Sequence, residues 1–280
     1  MARQTNHQII DTHIHVLQPS RWDYHWLEAD SPLNTDFLLP NIKADMLACG
    51  VVGGVLMEAT NHPQEIDWLL EISHASHMPM GVIGWIPPNL HQELSIFAKN
   101  SRFRGIRLNW LEPHPNSRIL TPLLQACEAH GLVVDVLTNP DHLHAVANLI
   151  ADYPHIMFVL DHMGGIDMVH ITPKLWQQSL QPLAELPNVI GKISGFSTLA
   201  IDHITPTIRP LVEIGLTLFG SERLLFGSNI PFGLNQIGYK DIVASFRDAI
   251  NHLPQTIQAD ICHKTAQRIY QLFHTIGAIS

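Results

Sequence analysis

Val51-Val52-Gly53-Gly54-Val55-Leu56-Met57-Glu58-Ala59 runs apolar without a break until Glu58. A strand with one wet face alternates apolar and polar residues; an unbroken apolar strand is covered on both faces, as parallel strands are beneath helices. Ahead of it, Asn41-Ile42-Lys43-Ala44-Asp45-Met46-Leu47-Ala48-Cys49 reads as a helix halted at Gly50, a residue type that ends helices in the left-handed conformation. After it the unit recurs. Helices are expected over 63–77, 89–100, 118–130, 141–152, 173–186, 205–219 and 239–252, with a closing helix over about 257–273. Strands are expected over 80–86, 103–109, 132–137, 156–162, 188–194 and 223–228. With Ile9-Ile10-Asp11-Thr12-His13-Ile14-His15 at the start, eight strands predict an α/β protein, a closed (β/α)8 TIM barrel forming a single domain over 1–280. An open doubly wound sheet is the alternative; it wants a Gly-rich phosphate turn after the first strand, and none is present.

The exception to this regularity is the stretch 16–40, long and irregular, with Trp22, Tyr24, Trp26 and Phe37 among Asp and Pro. Segments of this kind are either substrate loops or surface excursions anchored by their aromatics, and both readings stay open. Hydrophobic residues make up 46% of the 280 and charged residues 15%, with a formal net charge of −9 and no basic stripe. Nucleic acid is therefore not an expected partner. The polar start lacks an apolar signal core and no segment is apolar for long enough to span a bilayer, so a cytoplasmic protein with a small-molecule substrate is expected. Cys49, Cys127 and Cys262 are odd in number and far apart, which favours reduced thiols. Whether copies assemble into a homo-oligomer is left open.

Barrel enzymes carry their chemistry at the C-terminal ends of the strands. The first strand ends in His13 and His15, two apart and so on one face of a strand. Neutral imidazoles in that arrangement can share a divalent ion, which polarises carbonyls and activates water. The spacing alone is weak: 19 histidines in 280 residues give roughly one His-x-His pair by chance, and His142 and His144 form another at the start of a helix, where such neighbours diverge. Position at the end of the first strand is what favours His13 and His15. The other strand ends offer Glu58, Trp85, Arg107, Asn109, Asp161, His162, Lys192, Ser194 and Asn229. Glu58 and Arg107 fit a salt bridge as readily as catalysis, and Asp161 a loop cap as readily as a functional carboxylate. His162 fits function better, because an imidazole closing an apolar strand needs partners.

Together these residues resemble the amidohydrolase-related branch of metal-dependent TIM-barrel hydrolases, nearest the sugar-lactonase and 2-pyrone-4,6-dicarboxylate hydrolase group. The resemblance spans almost the whole chain: Ile10-Asp11-Thr12-His13-Ile14-His15, Gly84-Trp85, Phe158-Val159-Leu160-Asp161-His162, Gly191-Lys192-Ile193-Ser194-Gly195 and Arg223-Leu224-Leu225-Phe226-Gly227-Ser228. It implies hydrolysis of a small cyclic ester. His13, His15 and His162 would hold a divalent metal, zinc first, or meet the substrate directly, since the pyrone-dicarboxylate type is understood to work without a metal. Trp26, Trp85, Arg107 and Asn109 would contact substrate. The chain departs from the family where Gly-Ser-Asp-x-Pro becomes Gly227-Ser228-Asn229-Ile230-Pro231. An amide cannot take a proton at neutral pH, and the loss of a general base costs about 10²- to 10⁴-fold in rate. A second departure, Thr265 where Asn is usual, reads as structural.

Asn229 leaves three readings. Another strand-end group, Glu58, Asp161 or His162, serves as base; or an activated substrate makes the base less necessary; or the site binds without turnover. The functional expectations follow from these: a lactonase-like hydrolase first, with a non-oxidative decarboxylase of an aromatic acid or a catalytically impaired binding protein as alternatives.

Overall fold

Eight short apolar segments pair side by side in chain order in a computed structural model that describes residues 8–111, 117–165, 173–195, 201–234 and 237–272. They are β1 (Ile9–Ile14), β2 (Val51–Met57), β3 (Met80–Gly84), β4 (Phe103–Trp110), β5 (Val133–Thr138), β6 (Phe158–Leu160), β7 (Val189–Ile193) and β8 (Leu224–Phe226), every neighbouring pair parallel. The seam between β8 and β1 is closed by the residues that follow β8. Thr12 Oγ1 donates to Phe226 O (2.6 Å), Asn229 N to His13 O (2.9 Å) and His15 N to Ile230 O (2.8 Å). Ser228 N and the Tyr239 hydroxyl both donate to the buried Asp11 carboxylate, at 2.9 and 3.0 Å. The fold is the expected (β/α)8 barrel.

Between and after the strands lie α1 (Leu39–Ala48), α2 (Glu65–Ala75), α3 (Leu94–Phe97), α4 (Ser117–Ala129), α5 (Leu143–Ala151), α6 (Pro173–Ala184), α7 (Ile201–Phe219), α8 (Tyr239–Ile250), α9 (Gln255–Ala259) and α10 (Thr265–Tyr270). Two expected helices differ. The one over 89–100 is a 3-10 segment, Pro88–Glu93, followed by the single turn of α3, because Leu90 leaves helical geometry (φ −108°, ψ 22°) after the paired prolines. The closing helix is divided by a π turn at Asp260–Lys264. Thr265 opens α10 buried, its hydroxyl donating to Ser221 O at 3.4 Å. Residues 1–7, which carry the polar start, and residue 273 lie outside the described residues. Cys49, Cys127 and Cys262 are free thiols. Among the described residues no helix is long and apolar enough to cross a membrane.

Strand parity sorts the core into two parts. Residues such as Ile14, Leu56, Phe158 and Phe226 face the helices, while Ile10, Val55, Val133, Val159, Ile190 and Leu225 face inward over a floor made by Ile269 and Tyr270 of α10. Two residues further along the same inward rows stand Asp135, Asp161 and Lys192, all fully buried, with Arg107 on the neighbouring strand paired in register to Asp135. A charged layer thus separates the apolar floor from the rim of the barrel.

Candidate active site

His13 and His15 emerge from β1 with Nε2 atoms 3.1 Å apart, and the His162 ring lies 4.6 Å from that of His13, centre to centre. Burial holds all three imidazoles neutral: His13 and His15 sit well below the ordinary histidine value, and His162 is lowered to about 4, with the cations Arg107 and Lys192 adding to the effect. Neutral imidazoles keep a lone pair at physiological pH.

The backbone at two of these positions is forced. His162 adopts a left-handed conformation (φ 53°) in the turn after β6, and its Nδ1 meets Ser194 Oγ at 2.8 Å. Asn229 is also left-handed (φ 61°), a conformation that Asn tolerates better than most side chains. Such strain concentrates at functional sites. Glycine makes room twice: a Cβ at Gly195 would lie 3.0 Å from the His162 ring, and one at Gly227 would lie 2.6 Å from His13 Cβ.

Beneath the histidines the charged layer is continuous. Arg107 Nε donates to Asp161 Oδ2 (2.8 Å) and Arg107 Nη1 lies 3.5 Å from Glu58 Oε1. Lys192 Nζ meets Asp161 Oδ1 at 2.9 Å and also bonds Asp135 Oδ2, which accepts from the Tyr270 hydroxyl at 2.9 Å. Burial pushes the Asp161 carboxyl up, yet Lys192, His13 and Arg107 together pull it well below the usual carboxylate range. Burial raises Glu58 despite Arg107, and lifts Asp135 to about 7. Glu58 and Arg107 form the salt bridge that was one of their two readings; the Asp161 carboxylate is turned into the barrel, toward Arg107 and Lys192.

Above this layer opens a cavity of about 460 Å³. It brings together His15, Glu58, Arg107, Asn109, His162 and Asn229 from the strand ends, with Trp26 from the 16–40 stretch. His13 lies buried behind His15 and His162. Trp85, half-buried one residue beyond β3, does not line the cavity. His142 and His144 do not line it either. Lining residues that the sequence did not single out include His25, Asn61, Leu111 and Phe232. Phe232 stands edge-on to His15 and also packs against Trp26, each at 5.2 Å. No periodic signal marks a phenylalanine in an irregular turn. Asp135 was legible as a lone charge inside an apolar strand.

The donor set suits a divalent ion in part. Two imidazole nitrogens on one tetrahedral ion at about 2.0–2.1 Å would stand roughly 3.3–3.4 Å apart, close to the 3.1 Å between His13 and His15. The pair fits; among the described residues, however, no group of three or more His, Cys, Asp or Glu is gathered to hold an ion.

Comparison with known proteins agrees with the fold. The chain is 26% identical over 235 residues to an L-fucono-1,5-lactonase of Burkholderia ambifaria, covering 79% of this chain and 80% of that one. It is 26% identical over 289 residues to an L-fucono-1,5-lactonase of Burkholderia multivorans, covering 94% and 96%. Among solved structures, a zinc-bound amidohydrolase from Burkholderia multivorans shares the fold with a TM-score of 0.84 at 24% identity, over 95% of this chain and 99% of that one. A probable 2-pyrone-4,6-dicarboxylic acid hydrolase from Acinetobacter baumannii gives 0.79 at 21%, over 94% and 99%. The profile of the Amidohydrolase family matches from residue 10 to residue 272 and so reaches all eight strands; the chain belongs to that family and is a hydrolase.

Proposed function

We propose that the protein hydrolyses an uncharged sugar lactone. The observation that carries this reading is the charge of the cavity. Arg107 is the single lysine or arginine among the described lining residues, and two carboxylates already neutralise it. The segments 112–116, 166–172, 196–200 and 235–236 contain no lysine or arginine. A dicarboxylate buried here would lack the paired cations that burial demands. Asn61, Asn109 and Glu58 suit hydroxyl groups, and Trp26 with Phe232 suits the apolar face of a ring.

His13 and His15, with His162 beside them, are the residues that would hold a divalent ion, zinc first. When bound, the ion supplies a Lewis acid for the lactone carbonyl. Glu58 replaces the missing Asp as proton acceptor: it lines the cavity, is raised by burial, and shares only one oxygen with Arg107. The water oxygen bonds the carbonyl carbon while a water proton passes to Glu58. The ring C–O bond then breaks, and the departing oxygen takes that proton back. The product is a hydroxy acid, which ionises and acidifies the medium.

Acid release from L-fucono-1,5-lactone and other neutral aldonolactones, measured with zinc supplied, tests the reading. Turnover of these and none of a pyrone dicarboxylate is expected. Silence across the neutral lactones, or carbon dioxide release from an aromatic acid, overturns it.

A further inference from the structure

Glu65 is the first residue of α2 and is fully buried, a place where glutamate is almost never found without a partner. An acidic side chain at a helix start is favoured beside the free N–H groups of its own first turn. This one turns back instead onto the residues that follow β2. Ala59 N donates to both carboxylate oxygens, at 3.1 and 3.0 Å, and Thr60 N donates to Oε2 at 3.3 Å. Among the described residues no cation contributes to its environment. A buried carboxylate without a cation is expensive, and α2 gains nothing from it.

The peptide between Ala59 and Thr60 accounts for the placement. A trans peptide is planar, with its N–H and C=O on opposite edges. Here the N–H of Thr60 meets Glu65, and the C=O of Ala59 accepts from Trp26 Nε1 at 2.7 Å. Fixing one edge orients the other, and an amide whose N–H is bonded becomes a better acceptor at its oxygen. We infer that Glu65 is a positioning residue: through the Ala59–Thr60 peptide it holds the Trp26 indole in place as a wall of the cavity, and so sets how tightly the ring of a substrate is gripped. The effect on substrate rests on the lactone reading; the place of the indole depends on neither substrate nor metal.

Burial, with the Glu58 charge adding, lifts the Glu65 carboxyl to about 8. The other ionisable group facing it among the described residues is Tyr24 of the 16–40 stretch, which burial keeps neutral. Bonds to an ionised carboxylate are stronger than those to a neutral one. As pH falls through about 8, Glu65 takes up a proton and its grip on the turn weakens. The neutral amide of Glu65→Gln fixes the weakened state at every pH.

The test uses the full chain with ¹⁵N-tryptophan, the Trp26 indole N–H being assigned by difference against Trp26→Phe, together with KM and kcat for a neutral aldonolactone. In the unaltered protein the Trp26 signal is expected to titrate with Glu65; in Glu65→Gln it is displaced and no longer moves over that range. KM should rise about two- to fivefold in Glu65→Gln, the ceiling being the ring contact of Trp26 itself, with kcat changed less. In a Trp26→Ala background the same substitution should leave KM unchanged, because coupled residues are not additive. A folded Glu65→Gln protein with an unmoved Trp26 signal overturns the inference, as does a rise in KM of equal size in both backgrounds. If Glu65→Gln does not fold, a Trp26 signal in the unaltered protein that stays fixed while the ¹³C carboxyl signal of Glu65 titrates overturns it instead. A displaced indole in a chain that opens no lactone upholds the positioning role and removes the lactone reading; lactone turnover with an unmoved indole does the reverse.

Discussion

Asn229 stands where the family resemblance led to an expected carboxylate, and its backbone N–H is bonded to His13 O at 2.9 Å. Asp tolerates the same left-handed backbone, so Asn229→Asp is expected to fold and to set an anion beside the imidazoles. Zinc affinity, read by chelator competition, should rise by about tenfold or more, the scale of one close charge–charge interaction. Glu58→Gln should lower kcat by about 10²- to 10⁴-fold, the contribution of a general base, and the double variant should recover part of that loss. The pH profile supplies a second check. Burial raises the Glu58 carboxyl above its ordinary value of 4.5, and only the ionised form accepts a proton. Activity therefore falls as pH drops through that raised value, and Glu58→Gln abolishes this limb while leaving a flat residual rate.

Among the elements, the 16–40 stretch departs furthest from the strand-helix pattern. Leu17 and Phe37 exchange backbone hydrogen bonds at 2.8 and 2.7 Å, Gln18 N donates to the Tyr24 hydroxyl at 2.9 Å, and Trp26 Nε1 donates to Ala59 O at 2.7 Å. The aromatics divide between two places: Tyr24 is buried in a small cluster with Leu17 and Ala59, and Trp26 forms a wall of the cavity. Removing that wall in Trp26→Ala should cost about 1 kcal/mol of ring contact, or roughly fivefold in KM, with kcat changed less. Two residues beyond β7, Gly195 has φ 84°, and a Cβ there would crowd the His162 ring at 3.0 Å. Gly195→Ala should destabilise the fold by about 1–3 kcal/mol in urea titrations through backbone strain and lower kcat through the displaced ring.

At the scale of the molecule, one carboxylate ties the first strand to the last. Asp11 accepts from His13 N, Ser228 N and the Tyr239 hydroxyl across the closing seam. Asp11→Ala strands these donors in a buried site, and the midpoint of urea unfolding should report a loss of about 2–4 kcal/mol. The same seam joins His13 to Asn229, so damage to barrel closure should also reach the site, as a drop in zinc affinity. The barrel itself was legible without coordinates, because unbroken apolar runs such as Val51–Met57, each followed by a helix, satisfy two covered faces in few other ways. The strand-end rule then located His15, Glu58, Arg107, Asn109, His162 and Asn229 from their positions in sequence alone. Trp85 was assigned by the same rule and lies off the cavity, since the rule gives a residue's level on the barrel and not the direction of its side chain. What only the folded chain decided is which side chains meet: that Asp161 is shared by Arg107, Lys192 and His13, that Asp135 reaches Tyr270 from the far end of the chain, and that Phe232 backs His15. Periodicity records which face of an element is buried; the contact between two buried charges 50 or 100 residues apart depends on strand register and barrel closure, which no local pattern encodes.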